Sequence, residues 1–290
     1  MKKNLKVALF FAGMVSLPAM AHVSYTGRDF GTFDGLSAQS GTIANQAATG
    51  NYGWADATDA DWGDSHKAKW YSFTLTHAAN VTISAAAKAD ATGTSVGGLL
   101  PGFSIYSGKA VASAYDNAYL TWQYRKTLSP ETVTPVWNAP SGTNMYGSLK
   151  TAGALTAGMP GAEGAWNALG NTTMGNDAGL QSAISFIGYA VDGTAANFGG
   201  TPGIVGDNFA DGMVSKSFFL GAGTYSFIVG GADYAQGNNL LDPMASKAYG
   251  ISASVAIAPV PEPESYAMLL AGLGLMGAIA RRRRGANRQA

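Results

Sequence analysis

Lys69-Trp70-Tyr71-Ser72-Phe73-Thr74-Leu75-Thr76, followed by His77-Ala78-Ala79-Asn80 and Val81-Thr82-Ile83-Ser84-Ala85, decides the fold class. Tyr71, Phe73 and Leu75 fall on one face of an extended chain, and Ser72, Thr74 and Thr76 on the other. Val81, Ile83 and Ala85 continue the alternation after a short polar break. The pattern predicts two strands joined by a turn at 77–80. Working outward, Phe103-Ser104-Ile105-Tyr106 and Leu120 to Tyr124 read as further strands. Ile184 to Val191 reads the same way. Lys216 to Leu220 and Thr224 to Val229, joined by Gly221-Ala222-Gly223, read as a hairpin. Tyr249, Ile251, Ala253, Val255 and Ile257 alternate with small residues in a last strand. Seven or more half-apolar strands without a soluble helix predict a mainly β body, an antiparallel β-sandwich or jelly roll. Residues 22–66 read as irregular. Residues 129–177, with Pro130, Pro135, Pro140 and Pro160, read as long loops.

Composition narrows the function classes. The chain has 290 residues, 18 basic and 18 acidic, and no Cys. Disulfides, thiolate catalysis and Cys-ligated zinc are therefore excluded. The zero net charge hides a division. Between His22 and Ala258 there are 10 basic and 16 acidic residues, a net of −6. An acidic body lacks the basic footprint that nucleic acid requires.

The two ends differ from the body. Lys2, Lys3 and Lys6, the apolar run Val7 to Leu17 and Ala19-Met20-Ala21 form a secretory signal pattern over 1–21, with cleavage expected between Ala21 and His22. That implies a secretion translocon and a signal peptidase as partners. At the other end stand Pro259-Val260-Pro261-Glu262-Pro263, an uncharged run from Ala267 to Ala280, and Arg281-Arg282-Arg283-Arg284. Three prolines in five residues keep the chain extended. The apolar run predicts a short transmembrane helix with the arginines on the cytoplasmic side. Its 14 residues reach only about 21 Å at the helical rise, against a hydrocarbon core of ~30 Å.

Pro261-Glu262-Pro263, the apolar run and the arginine cluster, in that order, resemble the PEP-CTERM sorting signal of Gram-negative bacteria, a segment also called an ice-binding-protein C-terminal domain. The resemblance covers residues 259–290. It implies a passenger protein that crosses the inner membrane and is held there transiently. An exosortase would then cut it and release it to the cell surface or an exopolysaccharide matrix. Lys69 to Ala86 and Gly221 to Ile257 are also loosely similar to exported pre-peptidase C-terminal β-sandwich modules, which implies an accessory module rather than a catalyst. The expected organisation is a signal peptide over 1–21, a body over 22–258 and the sorting segment over 259–290.

Several constellations offer chemistry for the body. Asp56, Asp59, Asp61 and Asp64 crowd around Trp54 and Trp62. They read either as a solvated acidic loop or as a weak Ca²⁺ site, since calcium takes six to eight oxygens. Gly93-Thr94-Ser95-Val96-Gly97 has the spacing of a nucleophile elbow. That motif needs a helix after it, and Gly98-Leu99-Leu100-Pro101-Gly102 is no helix. Gly272-Leu273-Gly274-Leu275-Met276-Gly277 has the spacing of a dinucleotide motif, but no βαβ pattern surrounds it. An N-terminal His22 carries an amine and an imidazole that together suit Cu(II), with His66 or His77 as the second histidine. This resembles the opening of copper-dependent lytic polysaccharide monooxygenases. Trp137 and Trp166 read either as sugar-stacking rings or as core. The main expectation is a non-enzymatic exported protein of the surface or matrix. The rivals are a polysaccharide- or ice-binding module and a copper oxygenase.

Overall fold

The computed structural model describes residues 23–54, 62–112, 116–117, 165–175, 180–198, 204–233, 236, 242–260 and 263–286. The strands among them, in chain order, are β1 (Asp29–Phe33), β2 (Gln39–Thr49), β3 (Trp62–Asp64), β4 (Lys69–Leu75), β5 (Ala79–Ala87), β6 (Pro101–Ser107) and β7 (Asp116–Asn117). There follow β8 (Ala165–Asn167), β9 (Thr172–Gly175), β10 (Gln181–Val191), β11 (Met213–Leu220), β12 (Gly223–Gly231) and β13 (Ala248–Pro259). One helix, α1 (Pro263–Ala286), closes the chain.

Two sheets face each other. The larger has the order β1-β4-β12-β6-β10-β9-β7 and the smaller β11-β5-β13-β2, while β3 and β8 form a separate ribbon. Tyr71, Phe73, Phe103, Ile105 and Phe227 of the large sheet share one buried core with Val81, Ile83, Ile251 and Val255 of the small one. The body is thus a β-sandwich, as its alternating strands predict. Burying each large apolar side chain in this layer stabilises the fold by about 1.5–3 kcal/mol. One pairing departs from the antiparallel expectation, because β1 runs parallel to β4.

The expected hairpin at 216–229 is corrected, and the turn at 77–80 does not pair its two strands. β4 and β5 lie in opposite sheets, as do β11 and β12. Both short links are corners that carry the chain across the core. They run side by side: Leu75 pairs with Gly223 in the large sheet, and Ala79 pairs with Leu220 in the small one. The Tyr225 hydroxyl ties its corner by donating to the Gly221 carbonyl at 2.8 Å. Alternation places a side chain inward in either topology, so the pattern alone does not separate a hairpin from a crossing.

The region read as irregular holds β1 and the long strand β2. β2 is an edge strand, pairing only with β13 in its sheet. Its outward and rim positions are Ser, Thr, Asn and Gln, which masks the apolar period. The expected strand at 120–124, and residues 129–164, 176 and 177 of the expected long loops, lie outside the described residues. Of the rest, 165–167 and 172–175 are strands.

The large sheet is buried on its second face as well. Trp54, Trp70, Tyr106, Trp166, Ile184 and Ile228 belong to a second apolar cluster there. The face opposite Tyr71 and Phe73 carries buried Ser72, Ser104 and Ser226. Ser104 is satisfied: its hydroxyl accepts from the Trp54 indole at 2.9 Å and donates to the Ala168 carbonyl. The Tyr106 hydroxyl donates to the Asn167 carbonyl, and burial holds its ionisation far above the ordinary tyrosine range.

Candidate functional site: the C-terminal segment

β13 is an interior strand of the small sheet, and its ladder runs to its last residue, with Pro259 opposite Ala79. Val260 follows, and α1 begins at Pro263. Proline suits a first helical position, where its missing N–H costs no hydrogen bond. The helix spans 24 residues and takes in both the apolar run and the arginines. Cations at a helix C-terminus complement its dipole.

The large apolar side chains of α1 among the described residues stand exposed. Met268, Leu270, Leu275 and Met276 are 75%, 67%, 64% and 63% exposed. A methyl group built on Gly272, Gly274 or Gly277 would touch no neighbouring atom. These residues fall on all sides of the helix rather than on one stripe. A helix that is apolar all round is a segment made for burial elsewhere. The expected transmembrane helix is nonetheless corrected: no helix among the described residues is long and apolar enough to cross a membrane. The arginines shorten the uncharged part to the Ala267–Ala280 run.

The other candidates separate. Ala21, His22, Asp56, Asp59, Asp61, Trp137, Pro261 and Glu262 lie outside the described residues, as does the signal-peptide stretch 1–21. Asp64 ends β3 and shapes the next turn. Its Oδ1 accepts from the His66 backbone N–H at 2.9 Å and lies 3.1 Å from His66 Nδ1. His77 sits in the β4–β5 corner, with Nδ1 2.9 Å from the Asp34 carbonyl. Arg28 lies against the Trp70 carbonyl at the start of β4, so His77 is at the far end of that strand, ~20 Å away at the usual rise. Among the described residues no three His, Asp or Glu side chains converge as a metal site.

Trp166 is corrected as a sugar-stacking ring. It is fully buried and sits edge-on to Trp70 at 5.9 Å. Ser95 is 3% exposed, and its Oγ accepts from the Thr92 N–H at 3.2 Å. Val96 then bridges to Tyr249 and the chain runs on to β6 without a helix, so the elbow spacing is a turn.

One buried acid escaped the motif reading. Asp192, fully buried, accepts from the N–H groups of Asp211 at 3.1 Å and Gly212 at 2.7 Å. Burial pushes its carboxyl up to about 6. The two hydrogen bonds oppose that rise, and nearby Asp207 and Asp211 add to it. The group fastens the end of β10 to the start of β11. Its only sequence signal was an aspartate closing an apolar strand.

A β-sandwich whose inner strand is followed by an exposed helix with an apolar middle and a basic end defines a class: a globular passenger with a C-terminal sorting segment. Residues 259–284 match the PEP-CTERM protein-sorting motif, so the chain is a PEP-CTERM sorting domain-containing protein. The motif implies export and recognition by an exosortase. No curated protein matches the chain. Two solved structures align with the body. CorA, a surface-associated copper-binding protein important in Methylomicrobium album BG8 copper acquisition, is 15% identical with a TM-score of 0.43, covering 82% of this chain and 99% of its own. MopE, a secreted protein of Methylococcus capsulatus in which an oxidized tryptophan facilitates copper binding, is 15% identical with a TM-score of 0.35, covering 80% and 87%. Neither superposition is close enough to carry an inference about this chain.

Proposed function

We propose that this is a non-enzymatic exported protein. Its β-sandwich is delivered to the cell surface or an exopolysaccharide matrix after an exosortase cuts near Pro261-Glu262-Pro263. The supporting observation is the exposure of the α1 apolar surface directly after the last body strand. Such a surface does not stay in water. The membrane-embedded protease takes up this surface, with Arg281 to Arg284 held on the cytoplasmic side. Carrying one arginine to the bilayer centre costs roughly 2.5–3.5 kcal/mol. The cluster therefore fixes orientation, while the Pro-Glu-Pro tripeptide with its single carboxylate is what the protease reads.

The test is fractionation and mass determination in the native host. Replacing Pro261, Glu262 and Pro263 with Ala is expected to leave membrane-held, uncut protein. Replacing Arg281 to Arg284 with Ser is expected to lose retention before processing. Normal processing of both variants would remove the sorting reading. A parent protein that is never cut near Pro263 would reduce the segment to an anchor.

A further inference from the structure

The outer face of the small sheet forms a lattice of short, uncharged side chains. In one row Ser217, Thr82, Ala256 and Ser40 lie side by side across the four strands. In the next row Ser215, Ser84, Ser254 and Thr42 do the same. Hydroxyl pairs hold the rows in place, Thr82 with Ser217 at 2.7 Å and Ser84 with Ser215 at 2.9 Å. Beyond the two rows, at opposite ends of β11, stand Phe219 and Met213, 66% and 55% exposed. None of these positions is charged, although the body carries a net of −6.

We infer that this face binds a second copy of the chain across a two-fold axis. The axis lies in the plane of the face, between the two rows and perpendicular to the strands. It sets Ser217 over the partner copy's Ser215 position and Thr82 over its Ser84 position, so hydroxyl meets hydroxyl. The same operation sets Phe219 over the Met213 position, twice, and thioether sulfur and aromatic rings attract. An isologous contact requires this self-complementarity, each position meeting its mate in both directions. An uncharged face also lets two acidic bodies approach where charged faces would repel.

The area sets the strength. Four strands at ~4.8 Å spacing and four rows at ~6.7 Å give about 500 Å² per copy. The pair buries on the order of 1,000 Å², at the lower limit of a specific interface. The contact is a weak, reversible dimer, driven by the concentration of protein at a surface.

The test uses the full chain, which contains no cysteine. Met213→Cys and Phe219→Cys are made separately and treated with a bismaleimide spanning ~10 Å, the usual distance between packed sheets. The two-fold places residue 213 against residue 219 of the other copy. It leaves like positions ~20 Å apart, six residues of strand rise. Covalent dimer is therefore expected when the two variants are mixed and not with either alone. Adding Ser84→Lys, a charge at the centre of an exposed face, should abolish that dimer without lowering the melting temperature. No dimer in the mixture, equal dimer in each variant alone, or dimer indifferent to Ser84→Lys would each overturn the proposal. So would a mixture that stays monomeric while added dextran shields both cysteines from maleimide, which would assign the face to a neutral polysaccharide.

Discussion

The ring of Tyr71 lies 5.0 Å from the ring of Phe227, tilted by only 12°. The two residues are directly opposed on β4 and β12. Phe30 from β1 leans on both, at 6.1 and 5.9 Å. This stack joins the N-terminal strand to the middle of the large sheet. Phe227→Ala is expected to destabilise the body by about 3–5 kcal/mol, because the rigid neighbouring rings cannot close the cavity. Urea unfolding followed by tryptophan fluorescence measures it. A loss below 1 kcal/mol, the median for an ordinary point mutation, would mean that the stack is not a core element.

Asp192 gives the body a pH dependence of unusual sign. Its carboxyl is held up to about 6 in the fold, above the ordinary 3.8. Between those values the folded chain binds the proton and the unfolded chain does not. The contribution of this group to stability is therefore greatest below pH 3.8 and declines as pH rises through 6. Replacing it with Asn, which keeps one acceptor oxygen for the Asp211 and Gly212 N–H groups, should flatten this window. Melting temperatures of parent and variant from pH 4 to 7 compare them. Parallel curves would show that Asp192 does not titrate there.

Gly63 and Trp166 make a second packing test. A methyl group on Gly63 would overlap the Trp166 ring and the Trp54 carbonyl. Gly63→Ala should cost about 1–3 kcal/mol through overpacking. Trp166→Ala should cost about 3–5 kcal/mol through the cavity it leaves. Both are read by thermal unfolding. Unchanged stability for Trp166→Ala would return this residue to the surface and to ligand stacking.

Ending the chain after Val260 should leave the melting temperature within about 2 °C of the parent, less than the shift that ~1 kcal/mol produces in a body of this size. The reason is that the described apolar side chains of α1 stand exposed and its glycines touch no neighbouring atom. Ending it after Ala253 should abolish folding, since Val255 and Ile257 leave the core and β5 loses much of its partner. Circular dichroism of both truncations reads the outcome. A large loss on removing the tail alone would place the helix against the body.

By itself the sequence determined the elements whose signal is local. Side chains that alternate at Tyr71, Phe73 and Leu75, or at Ile251, Ala253 and Val255, must bury one face, and strands followed. The order of Pro-Glu-Pro, apolar run and arginines is likewise local, and it identified the sorting segment without a fold. Tertiary structure decided what alternation leaves open. Whether a corner such as 76–78 or 221–222 returns beside its strand or crosses the core depends on which strands offer hydrogen bonds, and those lie far along the chain. The strand β2, polar because it is an edge, became visible only through its ladder to β13. The burial of Trp166 also required the fold, because a ring between glycines and alanines reads alike in a loop and in a core. It took the Trp70 ring, 96 positions earlier in the chain, to exclude water from it.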